Sequence, residues 1–418
     1  MAQNLRDRLR RIQGRKKEET APVKKTVKTD PSPFEARGWV SAGSYVLKRE
    51  FPAELPPDFP AVLSPALPLL VPDLARGAIK DGAAPPASED LLFFDLETTG
   101  LSGGAGTVAF LAAFGRPVRY GRGGDAAPGC ALRITQYLLL DYPGEYDFLE
   151  AILGEFVTRP PLVVSYNGKS FDAQILKTRC LMNGIPPLEY LHADLLHPAR
   201  RLWKRPLGDC SQAALERGVL GLERSGDTPG ALAPEIWFAF LSRGEAPPLL
   251  GICDHNYRDI TGLAGIFAAI NRIAADPRGL VQKYNYDIEN LALRWRDMLR
   301  NGPRDSKAGM LRHTGKELLR FAAEEGFPRA ALVYALDLLR EGNYAEGRLR
   351  LSRIAAADLS ADIRAAALRR LAIDSEWRLK DPAAALELTN RGLELPLSAQ
   401  AQREEFERRA ERLEKKLE

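Results

Sequence analysis

Apolar and polar positions change rhythm twice along this chain, dividing it into three stretches. From Leu91 the rhythm is that of buried strands. LLFFDLE (91–97) is an apolar run closed by a glycine-rich turn, TVAFLAAFG (107–115) reads as a second strand, and RITQYLLLD (133–141) alternates as a third. YDFLEAILGEF (146–156) has helical spacing, and PLVVSYNG (161–168) is a fourth strand ending in a turn. FDAQILKTRCLMNG (171–184) predicts a helix closed by Asn-Gly, and LHADLL (191–196) a fifth, short strand. Helical segments follow at 198–204, 211–219, 233–242 and 249–274. Strands first, then strands mixed with helices, predict an α/β domain with a partly antiparallel sheet.

Ahead of this region, residues 1–85 read as a tail and approach segment. Residues 51–86 are proline-rich, which favours extended chain over helix, and Ala42–Lys48 is a candidate edge strand. The spacing gives the α/β domain residues 86–275 and a linker residues 276–308. Residues 309–418 show no strand pattern. LREGNYAEGRLRL (339–351) and LKDPAAALELTNRGLEL (379–395) both run helix, tight turn, helix. Their turns at Asn343 and Asp381 lie 38 residues apart, near the 34-residue tetratricopeptide period.

Charge adds one feature to this picture. The formal net charge of +4 is small, but residues 1–28 hold ten Lys/Arg against Asp7, Glu18 and Glu19. This basic arm is a candidate nucleic-acid contact or a solvated tail. Cys130, Cys180, Cys210 and Cys253 are scattered without C-x-x-C spacing, which predicts free thiols in a cytoplasmic protein. The N-terminus lacks the apolar run of a signal peptide, and no stretch reaches the roughly 18 apolar residues of a membrane helix.

The chemistry lies in four acids. Asp95 and Glu97 stand two apart in a strand, so both project from one face. Two acids on an apolar strand repel each other, and a hard divalent cation with oxygen ligands resolves the conflict. Solvated acids at a strand end are the alternative. Asp172 opens the helix after the Asn167-Gly168 turn, where a helix dipole alone also favours an acid. Asp259 lies on a helix whose apolar stripe runs through Cys253, Tyr257, Ile260, Leu263 and Phe267. His255 stands one turn before it and has the chemistry of a general base.

In order, strand D-x-E-T-T-G, then N-G-x-x-F-D, then H-x-x-x-D resembles the four-carboxylate (DEDD) exonuclease superfamily. FFDLETTGLSGGAGT, YNGKSFD, DLLHPARRLW and HNYRD resemble more closely the bacterial YprB-like group of predicted exonucleases, which joins a ribonuclease-H-like domain to tetratricopeptide-type repeats. The resemblance covers about residues 85–275 well and the tail loosely. It implies an α/β fold, a ribonuclease-H-like mixed sheet flanked by helices, followed by an all-α tetratricopeptide-like tail. It also implies a 3′→5′ exonuclease with metal ligation by Asp95, Glu97, Asp172 and Asp259. The superfamily's histidine branch places His five residues before the last Asp, and its tyrosine branch places Tyr four before. His255 therefore stands in the tyrosine-type slot.

The expected mechanism uses two Mg²⁺ or Mn²⁺ ions, about 3.5–4 Å apart, to clamp the phosphate and activate water. Asp95 serves both ions, Glu97 and Asp259 the water-activating one, and Asp172 the other, while His255 accepts the water's proton or orients it. The expected substrate is single-stranded DNA or RNA. Thr98, Thr99 and Asn167 are candidate contacts to it. So are Arg200, Arg201, Lys204 and Arg205, with Trp203 either stacking on a base or facing the core. His192, Asp194 and His197 read as structural. Two other readings compete: an endonuclease of the same fold, and a non-catalytic adapter whose helical repeats hold a protein partner.

Overall fold

A computed structural model describes residues 31–56, 59–74, 87–100, 106–120, 129–157, 162–301 and 306–418. The basic arm and residues 101–105 of the glycine-rich turn lie outside these. The chain opens with a helical turn α1 (Ser32–Glu35), strands β1 (Val40–Gly43) and β2 (Val46–Glu54), and a short helix α2 (Leu67–Leu70). This last element interrupts the extended path expected of the proline-rich stretch. Pro68 sits in its first turn, where a missing N–H costs nothing, and Leu67 and Leu70 are buried.

Strands β3 (Leu91–Thr98), β4 (Ala109–Tyr120) and β5 (Gly129–Leu139) follow, then helix α3 (Glu145–Val157), strand β6 (Leu162–Ser165), helix α4 (Asp172–Met182) and strand β7 (Leu191–Asp194). Together they form one seven-stranded sheet in the order β1-β2-β5-β4-β3-β6-β7. Pairing is antiparallel from β1 through β3 and parallel among β3, β6 and β7. Strand β3 thus stands where the antiparallel half meets the parallel half. The crevice beyond the carboxyl ends of such strands is where ligands bind in open α/β sheets.

Both faces of β3 are covered, which explains its unbroken apolar run. Phe94 packs on Phe114 and on Phe156 of α3. On the opposite face Phe93 packs edge-on against Phe267, which belongs to a long helix. Before that helix come α5 (Leu196–Leu207), α6 (Gln212–Leu215), a π-helical turn over Glu216–Leu220, and α7 (Ala233–Arg243). The long helix is α8 (Ala246–Ala275). It starts on a Pro-Pro pair and is buried almost all round from Ile260 to Ala274, so it is a core helix rather than a surface one. Its close seat on the sheet depends on Gly115 of β4: a Cβ there would lie 2.5 Å from Cγ2 of Ile260.

Beyond α8 the chain is helical: α9 (Val281–Tyr284), α10 (Ile288–Asn301), α11 (Ser306–Glu324), α12 (Pro328–Arg340), α13 (Tyr344–Ala356), α14 (Ala361–Trp377), α15 (Pro382–Leu393) and α16 (Gln400–Leu417). The first two fall within the stretch expected as a linker, yet Tyr284, Ile288 and Trp295 share one apolar core with Phe267. Asn343 and Asp381 stand just ahead of α13 and α15, and Asp381 accepts a hydrogen bond from the Ala384 amide at 2.9 Å. Among the described residues no helix is long and apolar enough to cross a membrane, and the buried Cys180, Cys210 and Cys253 are free thiols.

Replacing Gly115 by Ala would push α8 off the sheet. We expect a loss of about 1–3 kcal/mol, the usual cost of overpacking a tight core. A thermal melt reads it, and an unchanged Tm would contradict the close seat.

Candidate active site

Asp95 and Glu97 leave β3 on the face that α8 covers. Asp95 belongs to a row of residues in register across four strands: Asp95 pairs with Ala113, Ala113 with Gln136, and Gln136 with Arg49. The small side chain of Ala113 leaves space between the two polar ones. Asn256 of α8 spans that space, donating from Nδ2 to Asp95 Oδ2 at 2.7 Å. Its Oδ1 accepts from Gln136 Nε2 at 2.9 Å, and Gln136 Oε1 accepts from Arg49 Nε at 2.6 Å. Gln136 and Asn256 are fully buried. Every donor in this chain points toward Asp95, starting from a guanidinium that lies 4.9 Å from the rings of both Trp39 and Phe51. Hydrogen bonds so aligned polarise one another and favour negative charge at the far end.

The parallel half supplies Asp172. Strand β6 ends in Ser165, the chain turns through Asn167 with a positive φ of 63°, and α4 begins at Asp172. Asp194 holds this turn by accepting from the amides of Asn167 at 2.8 Å, Lys169 at 3.1 Å and Leu196 at 3.0 Å. Gly168 is required there, because a Cβ would lie 2.4 Å from Ser165 Oγ and 2.8 Å from Asp172 Oδ2. His192 donates to or accepts from Ser165 Oγ at 2.7 Å, and burial pulls its pKa down to about 4, so it is neutral and structural.

On α8, the four-residue spacing brings His255 Nε2 to 3.2 Å from Asp259 Oδ2. The other ring nitrogen, Nδ1, lies 2.8 Å from Asp227 Oδ2. Ligand atoms of Glu97, His255 and Asp259 all fall within 4.8 Å of one another, a spacing that one cation can bridge. Arg224 completes the group. It donates to both oxygens of Glu216 at 2.6 Å, to Asp259 Oδ1 at 2.5 Å and to Asp227 Oδ2 at 3.3 Å. The π-helical turn that presents Glu216 presses directly on α8, and a Cβ at Gly262 would lie 1.8 Å from Glu216 Oε1.

Electrostatics show what the cluster lacks. Burial, then repulsion from Asp259, Asp172 and Glu97, raises the pKa of Asp95 well above the ordinary carboxylate value, against the pull of Asn256. Burial, then Asp259 and Asp172, does the same to Glu97. Asp172 is pushed up to about 7 by burial and by Asp194. Asp259 is raised by burial although His255 and Arg224 oppose it. Burial alone would raise Asp227 too, but hydrogen bonds from His255, Arg224 and Arg258 outweigh it and hold its pKa below normal. Asp95 and Asp259 still open part of their surface to the cleft. Among the described residues the one guanidinium paired with these four carboxyls is that of Arg224, which meets Asp259 alone and is divided further between Glu216 and Asp227. Divalent cations at the cleft fit this oxygen-rich, charge-deficient donor set.

The structure thus brings together Asp95, Glu97, Asp172, His255 and Asp259. The Thr98 hydroxyl donates to the Gly100 carbonyl at 2.8 Å, and the Thr99 hydroxyl accepts from the Val108 amide at 2.9 Å, so both hold the turn after β3. Asn167 is exposed beside Asp172. Trp203 corrects one expectation: it is fully buried, and its indole N–H donates to the Tyr284 carbonyl at 2.9 Å, so it faces the core and cannot stack on a base. Lys204 donates to the Gly208 carbonyl, and Arg205 pairs with Glu289 at 3.1 Å and Asp287 at 3.8 Å. Arg200 is exposed, whereas Arg201 is half-buried and lowered in pKa by burial and by Arg294. Arg49, Gln136, Glu216, Arg224, Asp227 and Asn256 were not evident from spacing. Only Asn256, next to His255, stands in a motif at all.

Without divalent cation, folded Asp172 keeps its proton to about pH 7, against 3.8 for an ordinary aspartate. A raised pKa contributes stability below the unfolded value that is lost as pH climbs through the folded one. In EDTA, the Tm of the wild type should therefore fall relative to that of Asp172→Asn between about pH 4 and 8; parallel curves would contradict it. Asn256→Ala removes the one donor that opposes the rise of Asp95. Divalent-cation affinity by calorimetry should drop about 10–100-fold and its pH dependence should move to higher pH, while an unaltered profile would refute the role given to the network.

Residues 92–271 match the family model of the RNase_H superfamily. An uncharacterized protein of Bacillus subtilis (strain 168), YprB, is 37% identical over 186 residues, 44% of this chain. That match spans 42% of the length of YprB, so less than half of either protein is compared. The matched stretch begins in β3 and runs into α8, so the strands and helices that carry Asp95, Glu97, Asp172 and Asp259 all lie within the part of this chain that is similar to the RNase_H superfamily.

Proposed function

We propose that this protein hydrolyses phosphodiester bonds of single-stranded nucleic acid as a divalent-metal-dependent 3′→5′ exonuclease. The observation that carries the reading is the convergence of Asp95, Glu97, Asp172 and Asp259 with too little positive charge to ionise together. The RNase H superfamily domain supports nuclease chemistry and nucleic-acid binding in general. Polarity rests on the resemblance of the D-x-E, N-G-x-x-F-D and H-x-x-x-D order to the four-carboxylate exonucleases.

Asp95, Glu97, Asp172 and Asp259 would hold Mg²⁺ or Mn²⁺, a pair of ions in the full scheme. When bound, such ions neutralise the scissile phosphate and lower the pKa of water. The rest falls to the chain's own groups. Asn256 fixes the carboxylate plane of Asp95, and Arg224 fixes that of Asp259. His255 sits between two carboxylates and satisfies both only when doubly protonated. With its Nδ1 proton given to Asp227, Nε2 is the nitrogen that takes the proton from the attacking water. The water oxygen bonds to phosphorus, the P–O3′ bond breaks, the leaving 3′ oxygen takes a proton from solvent water, and Nε2 returns its own proton to solvent. The adjacent Arg224 adds a positive charge that the phosphate can meet.

The test is hydrolysis of 5′-labelled and 3′-labelled single-stranded DNA and RNA with Mn²⁺, Mg²⁺ or EDTA. A 5′ label should yield a ladder shortening from the 3′ end, abolished by EDTA. Asp95→Asn should lower the rate by at least about 10³-fold with the fold intact, and His255→Ala by about 10²–10⁴-fold, the usual worth of a general base. Internal fragments as first products would replace the exonuclease reading by an endonuclease one, and wild-type activity in Asp95→Asn would refute both.

A further inference from the structure

The helices beyond α8 form a second cationic surface that the active-site account leaves unused. We propose that it is a groove for the sugar-phosphate backbone of a single-stranded nucleic acid, separate from the cleft at β3. Choosing a nucleic-acid strand over an acidic peptide rests on the phosphodiesterase reading of the sheet domain.

Two neighbouring hollows carry the proposal. The first, about 370 Å³, opens between α10, α11 and α12 and is lined by Arg296, Arg300, Arg312, Lys316 and Arg340. The second, about 350 Å³, opens between α12, α14 and α16 and adds Arg369 and Arg370. Arg340 lines both, so the two hollows adjoin, and α12 contributes to each. Seven cations along them face three acids, Asp337, Glu341 and Glu405.

The acids are already committed. Asp337 takes a two-pronged contact from Arg296 at 2.7 and 2.5 Å and a bond from Arg340 at 2.9 Å. Glu341 pairs with Lys316 at 2.7 Å, and Glu405 with Arg369. Arg300 and Arg370 have no acid partner among the described residues. The side chains of Arg340 and Lys316 remain 51% and 63% exposed, so their pairs are open to a competing anion. The floor of the second hollow is apolar, with Leu336, Ala365, Ile373 and Phe406. A cationic rim over an apolar floor fits a single strand, whose phosphates meet the rim while its sugars and bases cover the floor. Tethered to the sheet domain through a shared core, such a groove would hold a long substrate near the cleft at high effective concentration.

The experiment measures binding by full-length protein of a fluorescein-labelled single strand of about 20 nucleotides, by anisotropy in EDTA across a salt series. A variant carrying Arg300→Gln, Lys316→Gln and Arg370→Gln should bind at least about tenfold more weakly at 0.1 M salt. Its slope of log K against log salt should be shallower by about 2, because each single-strand phosphate contact contributes about 0.7. The charge-keeping variant Arg300→Lys, Arg370→Lys should keep the wild-type slope, which separates lost charge from lost fold. Unchanged affinity and slope in the Gln variant, with its melt intact, would overturn the proposal. So would polyglutamate competing as well as unlabelled strand of equal charge, since the groove would then be for an acidic protein. Hydrolysis of bis-p-nitrophenyl phosphate with Mn²⁺ should be equal in wild type and variant. Its absence from the wild type would defeat the nuclease reading while a charge-dependent strand affinity still upheld the groove.

Discussion

Four carboxyl groups turned toward one another out of bulk water cannot all carry their charge unless something positive joins them. That constraint shapes the sheet domain. Asp95 and Glu97 come from the central strand, Asp172 from the first residue of α4, and Asp259 from the core helix α8. The cost of bringing them together is lowered in part by proton uptake, in part by Arg224, and in part by donors aimed at Asp95. None of these supplies a full countercharge, and that deficit is what a hard cation would make good.

The scaffold is built to keep this arrangement rigid. The row Asp95, Ala113, Gln136, Arg49 uses the register of four strands to place an arginine, two strands away from β4's small alanine, at the head of a donor chain. Asn256 closes the chain from α8, so the sheet and the helix cannot shift independently without breaking buried hydrogen bonds. Gly115 and Gly262 let α8 approach the sheet on one side and the π-helical turn on the other. A substitution at Gly115 would therefore reach the site through the helix, whereas one at Gly262 would strike Glu216, the partner of Arg224, directly.

Much of this was legible in the sequence because it is local. The two-residue spacing of Asp95 and Glu97 put them on one face, the apolar run around them announced a strand covered on both sides, and H-x-x-x-D set His255 over Asp259. Asn167-Gly168 announced the turn that delivers Asp172. What stayed hidden is non-local. Gln136 and Arg49 look like ordinary polar positions of outward-facing strands until register aligns them with Asp95. Arg224 and Asp227 lie in an irregular segment with no periodicity to read. Trp203 shows the opposite error: its basic neighbours suggested a binding face, yet the helical stripe of Ala199, Leu202 and Trp203 points to the core. Strand β2 and helices α9 and α10 were understated because their apolar residues find partners only in the folded chain, and β1 because its four residues are all exposed.

The central claim is the convergence of carboxylates on bound cations. A crystal grown with Mn²⁺ and a non-hydrolysable single-stranded oligonucleotide tests it directly through the anomalous signal of the metal. Peaks are expected among the carboxylates of Asp95, Glu97, Asp172 and Asp259, with a phosphate of the strand beside them. No peak there, with Arg224 still closed on Asp259 and the strand elsewhere, would contradict it.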